Sequence, residues 1–207
     1  MRSLLLLVIA AGVARAQTIK GAVLAKNEPH HHLAYEDEVL RVLRVHVAPH
    51  DTTLLHEHGP DYIWIALGAS TIVNAKLGAP DTTISSKDLT IHYTPGMFAH
   101  VARNLTTRPF DNITVELLQP QTNPVDRLRA SLVTIDPGKT FTLTVGGRPA
   151  WVIALDTADL TRSLTMSGNA SWTGGTVRAG SGTWSLSNHG TAPVRAMVIT
   201  ALATRAQ

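Results

Sequence analysis

Residues 131–156, SLVTIDPGKTFTLTVGGRPAWVIALD, can be laid over residues 43–68, LRVHVAPHDTTLLHEHGPDYIWIALG, at a constant offset of 88. Pro137 falls on Pro49, and Ile153-Ala154-Leu155 falls on Ile65-Ala66-Leu67. Further on, WSLSNHGTAPV (184–194) falls on HVARNLTTRPF (100–110) at an offset of 84, with Asn188 on Asn104 and Pro193 on Pro109. The change in offset places a four-residue deletion in the hairpin between the two blocks. A chain that repeats its turn prolines together with its apolar runs is expected to fold as two copies of one unit. QPQTNP (119–124), polar and with two prolines, reads as part of the connection between them.

The units are all-β. Short runs rich in Val, Ile, Leu and Thr recur at 39–47, 61–67, 70–77, 89–94 and 111–118, separated by turn clusters such as GAPDT, TPG and TTRP. Strands at such intervals, punctuated by Gly and Pro, indicate a β-sandwich or β-barrel. GAVLAKNEPHHHLAYEDE, which precedes the first of them, reads as an irregular arm with at most one short strand. Along DYIWIAL, pleat parity puts Asp61, Ile63, Ile65 and Leu67 on one face, expected to be the inner one, where Phe98 could join them.

The N-terminus reads as a leader: Arg2, the apolar stretch Leu4–Val13, and Ala14-Arg15-Ala16 as a cleavage site, with the mature chain starting at Gln17. That stretch is too short to span a bilayer, so no membrane insertion is expected after cleavage. Removal of residues 1–16 takes away Arg2 and Arg15 and no acid, which lowers the formal net charge of +3 by two. No basic block or aromatic–basic motif occurs, and nucleic acid is not an expected partner. The chain has no cysteine, which excludes thiolate metal sites and cysteine nucleophiles. A periplasmic or secreted protein without disulfides must rely on its core, and residues 17–207 are enough to bury one or two.

The chemistry-bearing residues lie in the first copy. His56 and His58 are two apart, and in an extended strand two such imidazoles face the same way and can converge on a cation. His100 stands five residues after Pro95 and four before Asn104. Here the sequence resembles the cupin superfamily, whose first motif is Gly, five residues, His-x-His, three or four residues, Glu, six residues, Gly. Its second motif is Pro-x-Gly, two residues, His, three residues, Asn. His56, His58 and Gly68 match the first; Pro95, His100 and Asn104 match the second. The departures are Asp61 for the glutamate, with two residues between it and His58, His50 for a turn glycine, and Gly96 one residue early.

The resemblance implies two cupin domains (double-stranded β-helix or jelly-roll barrels) in tandem: a leader at 1–16, a metal-binding domain at 17–119, a linker at 120–124 and a degenerate domain at 125–207. It implies one divalent transition metal (Fe, Mn, Ni, Cu, Co or Zn) held by His56, His58 and His100. Asp61 would serve as a fourth ligand and catalytic acid–base, or act through water, or only orient an imidazole. In the second copy these positions read Thr144, Gly146, Pro149 and Trp184, none a strong ligand, so that half is expected to be structural, closing the first cavity or serving dimerisation. Trp151, Trp172 and Trp184 are expected to pack its interior. His30-His31-His32 reads as a solvated arm, His46 as outward-facing, His92 as a candidate for the cavity edge and His189 as an exposed turn residue. The function classes left are a mononuclear-metal oxygenase similar to dioxygenase cupins, a metal-assisted isomerase or lyase, and a binding module for a small molecule or metal. The first is the leading expectation, with a small organic substrate. No Gly-x-Ser-x-Gly occurs to support a serine hydrolase.

Overall fold

A computed structural model describes residues 19–118, 128–156, 164–166 and 176–201. The leader, the linker and Trp172 lie outside the described residues. In the first half the β-branched runs form β1 (Val23–Leu24), a 3-10 turn (Ala25–Asn27), β2 (His31–Glu36), β3 (Leu40–Val47), β4 (His56–His58) and β5 (Tyr62–Ala66). There follow β6 (Ser70–Lys76), β7 (Thr82–Ser86), β8 (Ile91–Thr94), β9 (Phe98–Arg103) and β10 (Phe110–Leu117). They make two five-stranded sheets, β1-β4-β9-β6-β7 and β2-β3-β10-β5-β8. The arm expected to be irregular is thus ordered: β1 pairs with β4, and β2 pairs along β3. The inner faces share one apolar cluster, with Val45, Tyr62, Trp64 and Phe110 from one sheet and Ile72 and Ala102 from the other. Among the described residues the two sheets face each other as a sandwich, and neither closes on itself into a barrel.

The second half repeats the plan with β11 (Leu128–Ile135), β12 (Thr140–Thr144), β13 (Ala150–Ala154), β14 (Leu164–Met166), β15 (Val177–Gly180), β16 (Thr183–Asn188) and β17 (Val194–Ala201). Its sheets run β11-β17-β13-β15 and β12-β16-β14. The sequence repeat is reproduced in the strand bounds, since β3 and β11, β5 and β13, and β10 and β17 cover equivalent residues. It is reproduced in chemistry too. Asn104 and Asn188 are both buried, and each donates its amide to two repeat-equivalent carbonyls: Val47 and Arg108 in the first half, Ile135 and Ala192 in the second. Each side-chain oxygen accepts a backbone N–H two residues on, from Thr106 and Gly190. One asparagine therefore ties three segments in each unit, a task no apolar residue could perform.

The two halves share a core. Leu40, Val42, Ile65, Ile113 and Val115 from one side pack with Trp151, Ile153, Met197 and Ile199 from the other. The central strands β3, β10 and β5 of the β2-β3-β10-β5-β8 sheet are therefore covered on both faces, which reverses the expected parity of β5. Tyr62 and Trp64 face the interior of the first half, while Ile65 and Leu67 face the second. Trp151 likewise sits between the halves, its indole N–H donating to Asp37 at 2.8 Å, rather than inside the second unit; Trp184 does pack within it. Arg195 adds a polar tie across the junction, to Asp88 and Asp156.

Candidate metal site

β4 is only three residues long, and all three are buried. Its pleat sends His56 and His58 to the inner face and Glu57 to the other, where Glu57 accepts the N–H of Ile19. His100 lies directly opposite His56 on β9. The ring centroids are 4.4 Å apart for His56–His100, 5.2 Å for His56–His58 and 5.3 Å for His58–His100. A further imidazole arrives from the arm: His31, the first residue of β2, lies 4.7 Å from His56 and 6.1 Å from His58 between centroids. His31 is buried, not solvated. His31, His56 and His58 each offer a ligand atom within 4.8 Å of the others, a three-histidine cluster able to coordinate one divalent transition metal.

The hydrogen bonds around the rings set their tautomers. His31 Nδ1 meets Glu28 Oε2 at 2.8 Å, His56 Nδ1 meets the Leu54 carbonyl at 2.9 Å, His58 Nδ1 meets Glu116 Oε1 at 3.3 Å, and His100 Nδ1 meets Asn74 Oδ1 at 2.7 Å. Every partner is an oxygen acceptor, so each Nδ1 donates, and in the neutral ring Nε2 keeps its lone pair. Such outer partners are what orient metal-ligating histidines. Among the described residues, His56 Nε2 and His100 Nε2 are the buried side-chain atoms with no hydrogen-bond partner at all. Each such atom costs about 1–3 kcal/mol unless something satisfies it, and a cation would satisfy both together.

Electrostatics agree. Burial, with the neighbouring His31 adding to it, lowers the His56 pKa to about 3. Burial, then His56 and His58, lowers that of His100 to about 2. Burial also lowers His58, against the opposing pull of Glu116. Neutral imidazoles are the form that binds metal. Burial works to raise the Glu28 carboxyl, but hydrogen bonds from His31, His30 and the Leu54 N–H outweigh it and hold the pKa near 2. Glu116 is lowered in the same way, its burial outweighed by His58 and Arg41.

Asp61 does not join this cluster. Its two oxygens accept the N–H of Gly96 at 2.8 Å and the hydroxyl of Tyr93 at 2.5 Å, and it is not among the residues lining the cavity. The inward position at the start of β5 belongs to Tyr62, whose ring stacks on His58 at 4.2 Å. With two residues between His58 and Asp61, the pleat sends the acid the other way. Asp61 instead closes the turn around Gly96, where a Cβ would meet the Gly59 carbonyl oxygen at 2.3 Å, so only glycine fits. Gly68 ends the first motif at φ +97°, whereas His50, in place of a turn glycine, adopts φ 61°. His46 is exposed and meets Asp111 at 2.7 Å; His189 is exposed in its turn. His92 stacks on Trp64 at 4.0 Å and meets Ser86, without lining the cavity.

The histidines open onto a cavity of about 170 Å³ between the two sheets, walled by Tyr62, Trp64, Ile72 and Phe110 with Thr94, Asn112 and Lys76. His31, Glu28 and Glu116 were not singled out by motif reading. An acid inside the apolar run DNITVELL and an arginine inside the apolar run VLRVLRV are the signal that could have found Glu116 and Arg41, which the structure pairs across strands. Glu28, two and three residues before His30 and His31, is the corresponding signal in the arm.

No family model matches the chain, and no curated protein matches it in sequence. Solved structures do. AerE from Microcystis aeruginosa is 12% identical with a TM-score of 0.60, covering 84% of this chain and 94% of its own. A variant of Bacillus subtilis oxalate decarboxylase is 11% identical with a TM-score of 0.59, covering 83% of this chain and 72% of its own. Salicylate 1,2-dioxygenase from Pseudaminobacter salicylatoxidans is 11% identical with a TM-score of 0.53, covering 80% and 72%. Likeness at such identity speaks for the fold: two cupin-type units in tandem, with the histidine cluster in the first.

Proposed function

We propose that this chain is an exported, metal-dependent cupin enzyme, a mononuclear-metal oxygenase acting on a small organic molecule. His31, His56, His58 and His100 would hold the metal through Nε2, and Asp61 would have no part in it. The observation that carries this reading is the pair of buried, unpartnered Nε2 atoms of His56 and His100 inside a set of imidazoles whose Nδ1 atoms are all anchored. When bound, a divalent Fe, Mn, Ni, Cu or Zn supplies Lewis acidity and, if redox-active, electron exchange with dioxygen. The chain's own residues do the rest. Glu28 and Glu116 hold two rings in one tautomer, Tyr62 stacks on His58, and Trp64, Ile72 and Phe110 exclude water from the substrate side. Export rests on the leader pattern of residues 1–16.

The test is elemental analysis and oxygen uptake of protein purified from its native compartment. One Fe, Mn, Ni or Cu per chain, with dioxygen consumed in the presence of substrate, is the expected result. Zinc, or a redox metal without oxygen uptake, would overturn the oxygenase reading in favour of an isomerase or lyase. No metal at all would leave a small-molecule binding module. The N-terminal residue of the same material, expected at Gln17, checks export.

A further inference from the structure

The cavity wall holds one full charge that the metal site does not use. Ile72, Asn74 and Lys76 alternate along β6 and all three line the cavity. Asn74 is committed to His100, and Lys76 is directly paired with His100 across the strands. Among the described residues no salt bridge or hydrogen bond is made by the Lys76 ammonium, which lies over the Phe98 ring, 4.2 Å from Nζ to the centroid. No Asp or Glu lines the cavity. Glu28 and Glu116 stand behind the rings, with oxygens engaged by His30, His31 and the Leu54 N–H in one case and by Arg41 and His58 in the other. A pocket lined by a lysine and by no acid holds positive charge only.

We infer that Lys76 is a specificity-determining residue that selects an anionic substrate, a small carboxylic acid whose carboxylate meets the ammonium while its reacting end faces the histidines. This deepens the metal-site reading and rests on it for the second of those contacts. Size narrows the class. A cavity of about 150 Å³ is enough for benzene, so the 170 Å³ here admits one ring or a short chain and little more. Phe98 keeps the ammonium at the wall, since a cation over a ring face loses less when its water is removed.

The test loads the full mature chain with cobalt(II) and titrates benzoate, acetate and the neutral isostere benzamide, reading the cobalt spectrum and the heat of binding. Lys76→Met is expected to keep one cobalt per chain, weaken benzoate about 10–100-fold, the size of a hydrogen bond to a charged group, and change benzamide less than about threefold. Lys76→Arg, which keeps the charge, is expected to retain benzoate binding. Equal benzoate affinity in wild type and Lys76→Met, or no binding of either acid, would overturn the assignment while leaving the cobalt site standing. If no cobalt binds, the metal reading fails instead. Calorimetry on the metal-free chain then decides for Lys76: benzoate binding lost in Lys76→Met supports it, and no benzoate binding overturns it.

Discussion

The two halves carry one backbone plan and opposite interiors. Where the first half has His100 paired beside His56 on one wall of a cavity, the second has Trp184, buried with Leu186 against Val152, Ala154 and Val198. The Trp184 indole donates to the Ser181 carbonyl, and its ring lies so close to Gly180 that a Cβ there would meet it at 3.0 Å. A side chain of that size fills the space that imidazoles leave open, and needs no ion to be content. The same pair of sheets thus supports a site when its inner polar groups are left with lone pairs, and a core when they are replaced by apolar bulk. Site and scaffold are alternative uses of one volume.

The largest effect that could break this comparison is on metal content. His56→Ala or His58→Ala is expected to abolish binding by the first half, and His31→Ala and His100→Ala to weaken it severely, whereas Thr144→Ala should leave one metal per chain. Two metals per chain by mass spectrometry under native conditions would refute the asymmetry. Next, Trp184→Ala should lower stability by about 3–5 kcal/mol in denaturant titration, with metal stoichiometry unchanged.

Acid sensitivity should trace to the first half as well. In the metal-free chain, His56 and His100 have folded pKa values near 3 and 2, below the ordinary 6.5. The unfolded chain therefore takes up protons first as pH falls, and stability is full above about pH 6.5 and lost progressively from there towards about pH 2. The double variant His56→Leu/His100→Leu should flatten that decline in thermal melts. A decline of the same slope would show that the acid sensitivity lies elsewhere.

Glu116→Gln sharpens the account of the rings, with an expected loss of about 10–100-fold in metal affinity. The smallest effect concerns Asp61. Asp61→Asn should leave metal affinity within about twofold and lower stability by about 1 kcal/mol, through the hydrogen bonds to Gly96 and Tyr93. A heavy loss of metal in that variant would return the acid to the site.

Much of this was legible in the residues. The repeat foretold matching strands and laid Asn188 over Asn104; that both amides are buried and tie equivalent carbonyls is seen only in the structure. The pleat spacing of His56 and His58, with the cupin resemblance that added His100, led to the expectation that these three would meet, and their rings do lie together. His31 was not foreseen, because it reaches the cluster through the pairing of β2 with β3, and nothing in PHHH tells which histidine that pairing turns inward. The facing of β5 was misread for a different reason. A strand buried on both sides carries no alternation, so parity had to be guessed from the acid at its start. Asp61 followed that guess.

The doubly covered strands β5 and β10 have one more consequence, for how the molecule comes apart. β10 and β5 present Tyr62, Trp64 and Phe110 to the metal cavity and Ile65, Ile113 and Val115 to the second half. Heat cannot loosen one face and spare the other, because both are surfaces of the same strands. The chain should melt as a single cooperative unit. A ligand seated among the histidines would then raise the melting temperature of residues on the far side of Trp151 that never touch it. Cutting the chain between 119 and 124 would yield not a smaller metal protein but an uncovered apolar face.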